Sequence, residues 1–82
     1  MAQAIAMKNG RQIRKVHLVR VSDDRWEGFA LCYWGNIDPD EWVTWSVACD
    51  SSGMLESAHG HYIVGLEEAE EDFRFRSAQH GR

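Results

Sequence analysis

Cysteine and proline are scarce in this sequence, with two cysteines, Cys32 and Cys49, and the single proline Pro39. One cysteine pair is too few for the disulfide framework on which many small secreted domains depend. No basic-then-apolar export segment is recognisable ahead of the cysteines, so the expected location is cytoplasmic. We expect both thiols to be reduced and buried, although a disulfide remains open if their strands are neighbours.

Long hydrophobic runs and catalytic motifs are also lacking. The longest apolar run begins at Phe29 and ends at Trp34, whereas a membrane-spanning helix needs about 20 apolar residues. No glycine-rich phosphate loop or nucleophile elbow frames a serine or cysteine, so the sequence favours a non-enzymatic protein without a cofactor.

Two groups of side chains have metal-ligand character without a complete pattern. His59 and His61 would point to one face of a strand, but a structural metal site normally needs four ligands. Asp38, Asp40 and Glu41 lack the glycine and the distal glutamate of a calcium loop. We therefore assign no metal ligands from the sequence, although a metal- or small-ligand-binding domain that uses His59 and His61 stays open as an alternative.

The length and composition are those of one small folded domain, residues 1–82, since apolar residues make up 44% of the chain and charged residues 27%. The net charge of −4 disfavours non-specific binding to nucleic acid or anionic membranes. Nucleic-acid binding stays open as an alternative, because four tryptophans could stack bases beside a basic N-terminal third. That basic third contains Lys8, Arg11, Arg14, Lys15 and Arg20.

Alternation of apolar and polar residues predicts an antiparallel sheet over residues 11–63. Residues 1–7 form either a short first strand or a leader, and Asn9-Gly10 predicts a tight hairpin turn after it. We expect the last strand to be broken at Gly60. The remaining predicted strands are Arg11–Val21, Arg25–Trp34, Trp42–Ala48 and Met54–Ile63. The four tryptophans are expected to supply most of the core.

The segment 66–77 predicts a helix, because it contains strong helix formers and no breaker. Leu66, Ala69 and Phe73 fall on one stripe that should pack on the sheet. We expect ion pairs within the helix from Glu70 to Arg74 and from Asp72 to Arg76, and a frayed tail over 78–82. The predicted fold class is therefore α+β, a four- to five-stranded antiparallel sheet with one C-terminal helix packed on a face.

The other side of this helix is the predicted partner-binding surface. Phe75 lies opposite the Leu66 stripe and is either ordinary surface or an anchor for a partner. Acidic side chains around it would attract a basic partner. The predicted partner-binding residues are Glu67, Glu68, Glu71, Asp72 and Phe75.

The segments Gly60-His61-Tyr62, Leu66-Glu67-Glu68-Ala69 and Asp72-Phe73 resemble the C-terminal end of small phage and mobile-element accessory proteins of an anti-CRISPR-like class. Gly65 departs from that pattern, in which serine, threonine or aspartate would cap the helix. The resemblance implies an inhibitor that blocks a host defence or nucleic-acid-handling complex by occupying its surface. The implied partner is a larger host protein or protein–nucleic-acid complex rather than a specific nucleic-acid sequence or a membrane. A homodimer through an exposed strand edge also stays open.

Overall fold

The computed structural model describes residues 5–35 and 41–80, so the predicted loop residues 36–40, including Asp38 and Asp40, and both chain ends lie outside the described residues. It consists of one five-stranded sheet and one helix. The elements are β1 Ala6–Met7, β2 Ile13–Ser22, β3 Arg25–Gly35, β4 Glu41–Cys49, β5 Met54–Val64 and α1 Leu66–His80.

The four long strands form an antiparallel meander, and the strand order is β1-β5-β4-β3-β2. The first strand pairs with β5 in parallel, so the prediction of an entirely antiparallel sheet is wrong for this pair. A turn does form at the predicted place, with Gly10 at a φ of 79° and its amide donating to the Met7 carbonyl. This turn sends the chain to the opposite edge of the sheet rather than into a hairpin.

The sheet buries apolar side chains on both faces, because successive residues of a strand point to opposite sides. The larger cluster, on the face without the helix, includes Ala30, Cys32, Val43 and Leu55, all fully buried. Met7 of β1 belongs to the same cluster. The short parallel strand therefore helps to close this face.

The tryptophans contribute less to the core than predicted. Trp45 is buried, whereas Trp26, Trp34 and Trp42 are only half-buried at the margins of the two clusters. Small and branched side chains in the strand centres supply the fully buried positions. Trp26, Trp34 and Trp42 lie near strand ends, where their large indole rings are only partly covered.

The helix α1 packs on the other face of the sheet. Ala69 and Phe73 are buried against Leu31, and Leu66 packs beside them, which confirms the predicted stripe. Gly65, at a φ of 96°, precedes the helix, and its carbonyl accepts the first-turn hydrogen bond from Ala69. Glu67 and Glu68 complement the N-terminal end of the dipole. The helix continues to His80, so Ala78 and its neighbours are helical and not frayed as predicted.

Candidate functional site

A polar network joins the helix to the sheet beside the apolar stripe. Asp72 and Arg76, one turn apart on α1, both reach Thr44, which is fully buried in β4. The Thr44 hydroxyl donates to the Asp72 carboxylate, and Arg76 Nη1 donates to the Thr44 carbonyl at 2.7 Å and to Oγ1 at 3.1 Å. His61 Nδ1 lies 3.2 Å from Asp72 Oδ2. The helix is therefore positioned by polar contacts as well as by its apolar stripe.

A β-bulge in β5 completes this network. Two residues, His59 and Gly60, stand opposite Trp45 of β4, and His59 has a positive φ of 48°. A Cβ on Gly60 would lie 2.7 Å from the Trp45 indole nitrogen, so only glycine fits beneath that ring. Arg76 Nη2 donates to the His59 carbonyl at 3.1 Å. The break predicted at Gly60 is thus a bulge, and the helix binds to it.

The charge of Arg76 is largely used inside the domain. Its guanidinium lies over the Phe29 ring, 4.6 Å from the ring centroid. Burial lowers the pKa of Arg76, and the nearby Asp72 carboxylate acts in the opposite direction. Because its donors already serve two backbone carbonyls and a hydroxyl, this arginine is a structural cation rather than a free anion-binding group.

An open cleft of about 380 Å³ lies next to the network, between α1 and the sheet. Its walls include the rings of Phe29 and Phe75, with the Gln79 side chain on the helix side. His61, Asp72 and Arg76 also border it. Phe75 is 63% exposed, the largest exposure of any bulky apolar side chain among the described residues. The cleft is thus an apolar recess held in place by satisfied polar groups.

The acidic outer side of α1 adjoins this cleft. Glu67, Glu68 and Glu71 are exposed, and none of them takes part in an ion pair within the part of the chain that the structure describes. Phe75 is exposed on the same side of the helix, opposite the Leu66 stripe, as predicted. Asp72 does not belong to this outer surface, because its carboxylate faces the sheet and bonds Thr44 and His61.

The predicted ion pairs within the helix are replaced by contacts with the sheet. Glu70 Oε2 lies 2.9 Å from Arg14 Nε and 3.3 Å from Lys15 Nζ, both on β2. The hydrogen bond from Arg14 lowers the pKa of Glu70, and Lys15 acts in the same direction with a smaller effect. Glu70 pairs with these cations rather than with Arg74 because β2 holds them in place next to the helix. An ion pair along the helix would contribute only about 0.2–0.5 kcal/mol.

The remaining arginines of the predicted basic stripe also contact their own chain. Arg11 donates to the Trp34 carbonyl and lies 4.0 Å from the centroid of the Trp34 ring. Arg20 donates to the carbonyls of Ser22 and Asp23. A groove for a phosphate backbone needs cations that are free to meet phosphates, so these contacts weaken the nucleic-acid alternative.

Three aromatic rings from β3, β4 and β5 pack against one another. Trp34, Trp45 and Tyr62 form three edge-to-face contacts, with centroids 4.9 to 6.4 Å apart. Single-strand binders instead present ring faces on which bases stack. Here Trp45 lies in the larger cluster and Trp34 packs against it, while Tyr62 is half-exposed beside them.

Cysteine chemistry and metal binding find no support in the geometry. Cys32 and Cys49 are buried and unpaired, as expected, and burial raises the pKa of Cys32 to about 11. A thiol that stays protonated at neutral pH is a poor nucleophile. Across residues 5–35 and 41–80, no three His, Cys, Asp or Glu side chains are grouped so that they could hold a metal ion.

Comparison with known proteins yields no relative: no protein-family model, curated protein or solved structure matches this chain. The helix in the described residues is neither long nor apolar enough to cross a bilayer.

The sequence pattern did not identify Thr44 or His61 as partners of the helix. A signal existed in α1, since Asp72 and Arg76 are one turn apart and border the apolar stripe. Polar residues at that border can turn toward a sheet and require partners there. Their partners could not be named until the strand register was known.

Proposed function

We propose that this chain is a non-enzymatic protein-binding module that acts through the outer side of α1. Its contact surface consists of Glu67, Glu68, Glu71 and Phe75, and its partner presents a basic surface. The observation that carries this proposal is the contrast between these exposed side chains and the other charged groups of α1 that contact the sheet. Glu70, Asp72 and Arg76 serve the fold, whereas the three outer glutamates serve no described contact.

The physical basis is a combination of steering and anchoring. Unpaired carboxylates attract a basic partner over a distance that salt shortens, mainly by raising the association rate. A large exposed ring within that charged border can supply the buried contact that gives affinity. A surface with one aromatic and several acids therefore suits a site on a larger protein that normally holds phosphates, because the same lysines and arginines can receive carboxylates.

The resemblance to mobile-element accessory proteins gives this binding a biological purpose. We propose that the module inhibits a host defence or nucleic-acid-handling complex by occupying its basic surface. Catalysis and a cofactor play no part in that mode of action.

A photo-crosslinking experiment tests the proposal. A photoreactive phenylalanine analogue is placed at Phe75 and, as the control, at Val21, an exposed residue of the edge strand β2. The tagged chain is irradiated in cells of its native host, and crosslinked products are identified by mass spectrometry. We expect a defined basic protein at position 75 and not at position 21.

Charge-reversal variants distinguish the effect of the outer glutamates on the crosslink from the effect of the overall net charge. The variant Glu68→Lys/Glu71→Lys should abolish the crosslink, whereas Asp23→Lys/Glu56→Lys, which changes the net charge equally, should retain it. Asp23 and Glu56 are exposed and lie on the sheet and its turns. Equal loss in both variants, or a partner captured equally at both crosslinking positions, would contradict the proposal. A mobility shift with single-stranded nucleic acid at moderate salt would favour the alternative.

A further inference from the structure

We infer that the cleft between α1 and the sheet is a socket for one aromatic side chain of the partner, presented within a lysine- or arginine-bordered segment. This inference rests on the proposed function and names the chemistry that the contact surface selects.

The shape and lining of the cleft suit an aromatic group. Its volume of about 380 Å³ lies in the range of small-ligand sites, and rings of Phe29 and Phe75 form part of its wall. Aromatic pairs prefer edge-to-face or offset contacts, which a ring entering beside Phe75 can make. Phe75 is exposed only because nothing in the described chain covers it.

The charged groups that border the cleft, Asp72 and Arg76, already have partners within the domain. Asp72 is bound by Thr44 and His61, and Arg76 is bound by Thr44 and His59. An entering apolar ring therefore does not strand an unpaired buried charge, which would be costly. The same contacts fix the helix against the sheet, so the cleft is formed before the ligand arrives and little ordering is required.

The charges at the border select the flanking residues of the ligand. Glu71 and Glu68 precede Phe75 by one and two helical turns, so their side chains lie on the same side of α1. Both are exposed and have no ion pair among the described residues. The cations nearest in sequence are Arg74 and Arg76. Arg76 already donates to the carbonyls of Thr44 and His59, so Arg74 is the single exposed cation against these two carboxylates and that of Glu67. A segment with cations next to its aromatic residue therefore complements the border better than an acidic segment.

The other clefts of the described residues fit this chemistry less well. The recess bordered by Ile5, Leu18 and Trp26 holds about 190 Å³, half the volume, on the opposite face of the sheet. The shelf around Ser46 and Ala58 contains Arg25 and Glu27, which pair with each other at 2.9 Å, and has no aromatic wall. Of these three clefts, the α1 cleft is the one with two phenylalanine rings in its wall and unpaired carboxylates on the adjoining surface of the helix.

Three model peptides test the inference on the intact chain. Acetyl-Lys-Phe-Lys-amide, acetyl-Lys-Ser-Lys-amide and acetyl-Glu-Phe-Glu-amide are titrated at low salt while amide proton–nitrogen correlation spectra are recorded. We expect the first peptide to shift the amides of Phe75, Gln79 and His61 in a saturable manner. The serine peptide and the acidic peptide should each bind at least about tenfold more weakly, since each lacks one of the two contributions.

Two variants locate the binding. Phe75→Ala removes one exposed wall of the cleft without disturbing the core and should weaken the Lys-Phe-Lys peptide by at least about tenfold. Val21→Ala removes an exposed apolar side chain on β2 and should leave binding unchanged. Circular dichroism checks that both variants are folded.

The outcomes separate this inference from the proposed function. If Phe75→Ala or the serine peptide binds like its parent, the socket is wrong, and a crosslink that still depends on Glu68 and Glu71 leaves the binding module intact. If the acidic peptide binds as well as the basic one, the assignment of flanking cations is overturned. Shifts at Ile5 and Trp26 in place of the α1 cleft would also overturn the inference.

Discussion

Replacing Thr44 by valine tests whether the polar network positions the helix. Valine keeps the shape and the β-branching of threonine, and an isolated buried strand position would favour it. In this protein the hydroxyl donates to Asp72 and accepts from Arg76, and Thr44 is fully buried. The substitution therefore removes two hydrogen bonds to charged groups without opening a cavity.

The expected loss is about 2–3 kcal/mol of unfolding free energy. A hydrogen bond to a charged group contributes about 1.5–3 kcal/mol. The two losses do not add fully, because Arg76 keeps its bond to the Thr44 carbonyl, while Asp72 keeps His61 and has a side chain that is 24% exposed. For a domain of this size, that loss lowers the Tm by about 10–20 °C.

Urea unfolding followed by tryptophan fluorescence measures the effect, with Thr44→Ser as the matched control. Serine keeps the hydroxyl and loses one buried methyl, which costs about 0.8 kcal/mol. When Thr44→Val is introduced into the Asp72→Asn variant, the loss of unfolding free energy should be at least about 1 kcal/mol smaller than in the wild type, because the charged acceptor is gone. If Thr44→Val is as stable as the wild type, the network contributes nothing net and the reasoning fails.

Three further predictions concern close packing and burial. Gly28→Ala should cost at least about 3 kcal/mol in urea unfolding, since its Cβ would lie 1.8 Å from the His17 carbonyl oxygen and must part β2 from β3; wild-type stability would refute that approach. Gly60→Ala should cost about 1–3 kcal/mol and shift the fluorescence spectrum through Trp45, and an unchanged spectrum would count against the bulge. For Cys32 the pKa is raised from 9.0 to about 11 in the folded state. The unfolded thiol ionises first as the pH rises, so the associated stability is complete below pH 9 and falls by up to about 3 kcal/mol by pH 11. Cys32→Ala should lack this component of the pH dependence.

Local pattern was sufficient for the elements themselves. Strand alternation predicted the four long strands, and the Leu66, Ala69 and Phe73 stripe identified the side of the helix that packs on the sheet. These features depend on the repeat of side-chain direction along one element, which is a property of the sequence alone. The exposed positions of Glu67, Glu68, Glu71 and Phe75 follow from the same repeat.

Features that depend on two distant segments could not be predicted in this way. Asn9-Gly10 specifies a turn but not which strand the chain joins after it, and β1 reaches β5 because Met7 is buried in the cluster on that face. Asp72 and Glu70 have satisfactory partners along the helix, yet both bind the sheet. Their choice depends on Thr44, His61 and Arg14, which only the folded chain brings near.

The sequence by itself therefore determined the elements, the apolar stripe of α1 and the acidic outer side of the same helix, because each follows from the period of one helix or strand. Only the tertiary structure decided which carboxylates remain available and where a cleft opens. A partner for a side chain depends on the register between strands and on the angle at which the helix crosses them, and neither is encoded in any single segment.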